Sequence, residues 1–485
     1  MSNNLQFLKW ARDARMPEFS LKTYRIYDYK PGQVRYQFGH YPTRNPYYPT
    51  EEDWKLLDLY AENGIEVIQV WEWSDICGFF EKGPMEPINE KGIRRFISEC
   101  HRRDLKVIPY VSPGYLDVRS PIYRPKWSRG AGHLVEVYHD LDMLCPGSPG
   151  WRAYFFSTIN RLMDDYGFDG VYWDGGLGLS RPGCSNPNQD NHIHFVEISP
   201  QEKGNLTHLD DAVKNKINEG FCALWNDFLS EMYARIKKRN GLVVGHIGSD
   251  IPSPFQNKCW DYQLLGEGIG NVLASIEKTK DYEPYVIRFN DWSRLITNWK
   301  ERDLTPNLKL VPEIEHLSMA SSIPYLQFRW LEGGRYGEEE DIFNIPGIPW
   351  KKEWDHWTEW RKAQRKAGLS PLIAASFAAN RDRYFKYLSI YKKMTKVNTA
   401  VYIEVKKIEK NRFPLTEGDR HVSVFVNDAL WVAIGHLGTE SQKVLVQPLK
   451  GNDEGKIVFL SPKTLTILRY YDLVSQPEVI QLATE

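Results

Sequence analysis

The sequence has almost no excess charge of either sign: 62 lysines and arginines stand against 63 aspartates and glutamates, a formal net charge of -1. That balance argues against nucleic acid or an anionic membrane surface as the main partner, since both select strongly basic chains. Cysteine is scarce, with six in 485 residues. None forms a CxxC pair, so neither a zinc ribbon nor a redox motif can be drawn, and reduced, buried thiols are the expectation. No segment approaches the roughly 18 apolar residues that a membrane span requires. The opening MSNNLQFLKWARDARM has no apolar run behind its charges, as a secretory signal would. The expectation is a soluble chain, cytoplasmic if the sequence is complete. No GxGxxG follows a first strand and no GxSxG marks a strand-to-helix turn, which disfavours a dinucleotide fold and a serine hydrolase.

What is present is a long alternation of helix patterns and short apolar runs, the pattern of parallel strands joined by helices. Thr50 can cap a helix through Asp53, Trp54, Leu57 and Tyr60 that Gly64 closes, and IEVIQVWEWSD then reads as a strand over 65–75. A helix bearing Ile93, Phe96, Ile97 and Cys100 on one face leads to a second strand, LKVIPYVSPGY, at 105–115. LVEVYHDLDML is taken as the third. Ser148 and Pro149 start a helix that Gly167 ends, and FDGVYWDGG follows as the fourth. A polar, Gly- and Pro-rich excursion precedes another long helix through Phe221, Leu224, Phe228, Met232 and Ile236. LVVGHIGSD and WDYQLLGEG are the fifth and sixth strands, LKLVPEIEH the seventh, and 371–377 is left unassigned. About seven strands alternating with helices favour a (β/α)8 TIM barrel, with an N-terminal extension, over residues 1–397. From 398 the sequence changes to short β-branched runs without helices between them, which predicts an antiparallel β-sandwich over 398–485.

In such a barrel the reacting groups sit at the carboxyl ends of the strands. Period-2 alternation puts Gly170, Tyr172 and Asp174 on one face of the fourth strand. If that face points inward, Asp174 is the last inward side chain, and the glycines behind it leave room for a ligand. Asp169 begins the strand and is expected to serve the turn after Gly167. An Asp-Gly turn is the alternative for Asp174.

YGFDGVYWDGG resembles the fourth-strand segment of retaining glycoside hydrolases of the melibiase-like superfamily, in which α-galactosidases, α-glucosidases and endo-α-N-acetylgalactosaminidases place a nucleophilic Asp. The order of VWEWSD, then LKVIPYVSPGY, then a short third strand is similar too, over roughly residues 60–270. The resemblance implies Asp174 as nucleophile and an acid/base at the end of the sixth strand, where the count reaches Glu267. Many of the resembled enzymes use Asp there, so the glutamate is a departure, and Asp250 at the end of the preceding strand is its rival. The lysine-containing motif of true α-galactosidases is absent, so the sugar preference does not carry over. Cleaving a glycosidic bond with retention needs this pair: one carboxylate to attack the anomeric carbon and one acid to protonate the leaving oxygen.

Sugar recognition calls for polar groups and flat apolar faces. The candidates are Trp71, Glu72, Trp73 and Asp75 after the first strand read, Tyr110 and Tyr115 at the second, His246 in the fifth, and Glu313 with Glu315 and His316 at the seventh. Asp75 matches by position the hydroxyl-binding acids of the resembled enzymes. Core packing is the competing role for each aromatic. His192 and His194 form an HxH in a polar loop without matched ligands, so no metal or other cofactor is expected. The resulting expectation is a glycoside hydrolase acting on an oligosaccharide or glycoconjugate and cleaving an α-linked galactoside or N-acetylgalactosaminide bond. An inverting enzyme or transglycosylase on the same fold, and a non-catalytic carbohydrate-binding barrel, are the alternatives.

Overall fold

A computed structural model of the protein describes residues 3–38, 49–71, 73–74, 83–87, 89–136, 139–175, 184, 211–246, 258–265, 285–288, 295–296, 298, 307–334, 378–409, 411–451 and 454–482. Its centre is a parallel barrel. The strands in chain order are Gln33–Gln37, Val67–Val70, Lys106–Val111, Gly170–Trp173, Leu242–His246, Tyr262–Leu265 and Val286–Arg288, followed by Phe328–Arg329 and Leu331–Gly334. Only Trp330 separates the last two, which act as one eighth strand. Phe328–Arg329 pairs with the seventh strand and Leu331–Gly334 with the first, so the ring closes.

The first barrel strand is therefore QVRYQ, which the sequence reading passed over. LVEVYHDLDML, taken as the third barrel strand, instead contributes to an antiparallel three-stranded excursion in which His139–Leu144 lies between Tyr115–Asp117 and Ser128–Glu136. LKLVPEIEH is not a seventh strand either: Leu308–Leu310 is a 3-10 turn running into the helix Val311–Ser322.

The helices between strands form where their signals stand. Thr50 and Asp53 make a reciprocal capping box for Glu51–Glu62, and Gly64 follows with φ +83, a conformation that costs glycine little. Ser148 accepts from the Trp151 amide to start Pro149–Asp164. At the amino ends of the strands the barrel is stoppered by tyrosines. Tyr29 stacks on Tyr285 at 4.5 Å and on Tyr262 at 6.1 Å, and the Tyr262 hydroxyl accepts from the Lys30 amide at 2.7 Å. Burial pushes the Tyr262 phenol well above its usual range.

The antiparallel region is a six-stranded sheet ordered Ser20–Arg25, Ala400–Val405, Arg420–Val426, Leu430–His436, Thr464–Tyr470 and Glu478–Gln481. Its first strand comes from the N-terminal segment, so the sheet draws on both ends of the chain. One face receives Phe7 and Trp10 of the helix Asn3–Asp13 and Val444, Val446, Val458 and Leu460 of the ribbon Gln442–Val446 and Lys456–Leu460. The other faces the helix Val311–Ser322, and the fit is close: a Cβ on Gly435 would overlap the Ala320 carbonyl oxygen. Among the described residues no helix is long and apolar enough to cross a membrane.

Candidate active site

The fourth strand brings Asp174 to the carboxyl end of the barrel. Gly170 opens the strand with φ +150, and a Cβ there would overlap the backbone of Leu242 on the fifth strand. Tyr172 points into the barrel, where it meets side chains of the second, third, fifth and eighth strands. Trp173 points the other way, its indole filling the space that a side chain at Gly245 would need. Asp174 shares the inward face with Tyr172, and its amide continues the ladder by donating to the Val111 carbonyl at 3.1 Å. Its side chain is 22% exposed. The Tyr110 hydroxyl donates to Oδ2 at 3.4 Å, and His246 Nδ1 lies 3.1 Å from Oδ1. His246, the last residue of the fifth strand, is 6% exposed and lies 3.1 Å from the Tyr172 hydroxyl through the same Nδ1.

Beneath Asp174 is an aromatic floor. Trp71 stacks on Tyr172, with centroids 5.2 Å apart and planes at 20°, and Trp330 meets both edge-on at 6.0 Å. Tyr110 leans on Trp71 at 4.9 Å. The Arg35 guanidinium sits 3.6 Å from the Trp71 ring centroid and 3.5 Å from the Glu332 carboxylate. Arg35 and Glu332 are register partners on the first and eighth strands, so both project inward. Burial pushes the Glu332 carboxyl up, with Arg35 pulling against it.

The candidates divide by place. Trp71, Tyr110, His246 and Asp174 come together. Tyr115 lies next to the cluster, its ring 3.0 Å from where a Cβ on Gly175 would stand. Trp73 is buried instead, edge-on to Phe168 at 5.3 Å, and its indole donates to the Tyr110 carbonyl at 3.0 Å. Glu313 lies on the helix Val311–Ser322 and pairs with Lys463 of the C-terminal sheet region. On the same helix Glu315 pairs with Arg329, and His316 Nδ1 is 2.7 Å from the Tyr387 hydroxyl. Their placement follows from the helix that replaced the expected strand. Glu72, Asp75, Asp250, Glu267, His192 and His194 fall outside the described residues. The strand Tyr262–Leu265, which precedes Glu267, is the sixth of the barrel. Among the described residues no group of three or more His, Cys, Asp or Glu side chains could hold a metal ion.

Sequence reasoning missed Arg35, Tyr172, Trp330 and Glu332 as parts of this cluster. The alternation of Gln33 and Arg35 with Val34 and Tyr36 was the available signal: a strand whose polar side faces a barrel interior.

No family model matches the sequence, and no curated protein matches it. Among solved structures, the chain is similar to a putative α-amylase from Salmonella typhimurium, with a TM-score of 0.52 and 11% identity, covering 92% of this chain and 83% of that one. It is similar to an α-amylase from Anoxybacillus with a TM-score of 0.50 and 11% identity, covering 91% and 98%. A GH36 α-galactosidase from Geobacillus stearothermophilus matches with a TM-score of 0.49 and 12% identity, over 93% of this chain but 56% of that longer one. At these identities the likeness is one of fold: a TIM barrel joined to an antiparallel sheet region.

Proposed function

We propose that the protein is a retaining glycoside hydrolase with Asp174 as its nucleophile. The observation that carries the reading is the placement of a partly exposed carboxylate as the last inward residue of the fourth barrel strand, above an aromatic floor and contacted on each oxygen by a different side chain. Aromatic faces suit the apolar faces of a sugar ring, and a carboxylate at a strand's carboxyl end is where barrel enzymes hold reacting groups. The two α-amylases of the same fold are in keeping with this chemistry.

In the first step Asp174 attacks the anomeric carbon and the glycosidic C–O bond breaks. Its electron pair stays on the leaving oxygen, which takes a proton from the acid/base. Water then attacks the glycosyl ester, passes a proton back to that residue and releases Asp174. Glu267, following the sixth strand, is our assignment for the acid/base, with Asp250 as its rival. Retention requires the two carboxyl groups to stand about 5 Å apart. The substrate we assign is an oligosaccharide or glycoconjugate with an α-linked galactose or N-acetylgalactosamine.

A panel of α- and β-linked aryl glycosides, followed by NMR of the first-formed anomer, tests the reading. An α-linked substrate giving the α-anomer is expected, and Asp174→Ala with added azide should yield the β-glycosyl azide. Early formation of the opposite anomer by the wild type would remove Asp174 from the nucleophile's role.

A further inference from the structure

We infer that His246 is a positioning residue for Asp174: a proton on its Nδ1 holds Oδ1, which leaves Oδ2 as the attacking oxygen. The inference rests on the reading of Asp174 as the nucleophile.

Nδ1 has two oxygen neighbours, the Tyr172 hydroxyl and Asp174 Oδ1, each at 3.1 Å. A ring nitrogen offers either one proton or one lone pair in its plane. If Nδ1 carried the lone pair, the Tyr172 hydroxyl would have to donate to it, and the Asp174 carboxylate would face electron density at the same distance. In a site where His246 is 6% exposed, water does little to relieve that repulsion. With the proton on Nδ1, both oxygens face a donor. On the Nδ1 side, the neighbouring carboxylate oxygen at 3.1 Å favours Nδ1–H.

The two carboxylate oxygens then differ. Oδ1 is 3.1 Å from the imidazole, while Oδ2 has the longer 3.4 Å contact with the Tyr110 hydroxyl. Oδ2 is the oxygen with less to give up when it bonds to carbon. As the Oδ2–carbon bond forms and the glycosidic C–O bond breaks, with the leaving oxygen protonated by the acid/base, Oδ1 becomes the carbonyl oxygen of the ester. The Nδ1 proton stays on it. When water attacks the anomeric carbon, giving its proton to the acid/base, and the Oδ2–carbon bond breaks, the carboxylate reappears with one oxygen already held, so the group keeps its orientation through both steps. Strand geometry supports this fixed role: His246 ends the fifth strand, its ring 24° from the plane of Tyr172, the residue two before Asp174 on the neighbouring strand.

The test has two arms on the intact protein. In the first, 15N NMR of histidine-labelled enzyme reads the His246 tautomer. A protonated Nδ1 that reverts in Asp174→Ala toward the Nε2–H form favoured by free imidazole is expected. A bare Nδ1 in the wild type would overturn the inference, and no turnover is needed to see it. The second arm compares His246→Asn, whose amide N–H can stand near Nδ1, with His246→Leu, which has no donor. On an aryl glycoside the leucine variant should lose about 100-fold in kcat, the scale for removing one preorganised donor, with KM little changed. The asparagine variant should recover at least about tenfold of that loss. Equal losses in both variants would overturn the inference. Failure of the wild type to turn over any glycoside would instead count against the hydrolase reading, while the tautomer still decides the role of His246.

Discussion

Asp169 and Asp174 stand at opposite ends of one barrel strand, and their partners differ accordingly. Asp169 Oδ2 accepts from the Val107 amide and lies against His101 Nε2, both at 2.8 Å, at the amino end. Asp174 meets Tyr110 and His246 at the carboxyl end. Substituting the two should therefore separate stability from turnover. Asp169→Ala strands the buried amide of Val107, a loss on the order of 1–3 kcal/mol in urea unfolding, with kcat of the folded protein preserved. Asp174→Asn should abolish turnover and leave the unfolding midpoint near wild type. A turnover defect in the first variant with full activity in the second would reverse the assignment.

Gly175, behind Asp174, has φ +84, and a Cβ there would stand 3.0 Å from Tyr115 Cδ2. Alanine should meet two costs, about 1–2 kcal/mol for the left-handed backbone and a further amount for displacing the tyrosine ring. Asparagine tolerates that backbone better than alanine but meets the same ring. Gly175→Ala in combination with Tyr115→Ala should recover the steric part alone. If Gly175→Ala unfolds at the wild-type urea concentration, the turn does not need glycine.

The position of Asp174 at the carboxyl end of its strand was legible in the sequence because the strand is short, apolar and bounded by glycines, and period-2 alternation separates its two faces. Its rank as fourth strand came from two errors that offset each other. Gln33–Gln37 was missed because Gln33 and Arg35 alternate as polar side chains inside the barrel, where a sequence reader looks for apolar ones. His139–Leu144, part of LVEVYHDLDML, was counted in its place because an antiparallel excursion strand has the same apolar texture as a barrel strand. The helix Val311–Ser322 was hidden for a different reason. It lies between the barrel and the C-terminal sheet, with Ile314, Glu315, His316, Leu317 and Ser318 all buried, so no exposed polar face marks its period. The aromatic floor was beyond reach because Trp71, Tyr172 and Trp330 meet only through barrel closure.

Glu332 supplies a pH test. Burial raises its carboxyl in the fold, and the pull of Arg35 does not cancel the rise. The native state therefore binds this proton more tightly than the unfolded chain does. The stabilisation from the protonated form is full below the unfolded value, about 4.3, and is lost as pH rises through the higher folded value. Glu332→Gln has no such proton. The Tm of the variant relative to wild type should therefore climb as pH is raised across that interval, and level off above it. A difference that stays flat, or falls, would show that Arg35 outweighs burial.

Glu315 and Arg329 form a buried pair that joins the helix Val311–Ser322 to the eighth strand. Glu315 Oε1 accepts from Arg329 Nη2 at 2.6 Å and from Nε at 2.8 Å, and neither side chain is more than 1% exposed. The pair's own net contribution is small, because taking both charges out of water offsets most of their attraction. Removing one partner is another matter. Glu315→Ala leaves a guanidinium without its carboxylate in a site that water does not reach, and should cost roughly 3–5 kcal/mol in urea unfolding. Glu315→Leu combined with Arg329→Met should restore much of that loss, because neither charge is then stranded. Trp330 lies next to Arg329 on the strand and faces inward to the floor, so the double variant also asks whether the pair only holds the helix. Turnover near the wild-type rate in the double variant, with a destabilised Glu315→Ala, is the expected result. A single variant as stable as the wild type would mean that the guanidinium finds water or another acceptor once Glu315 is gone.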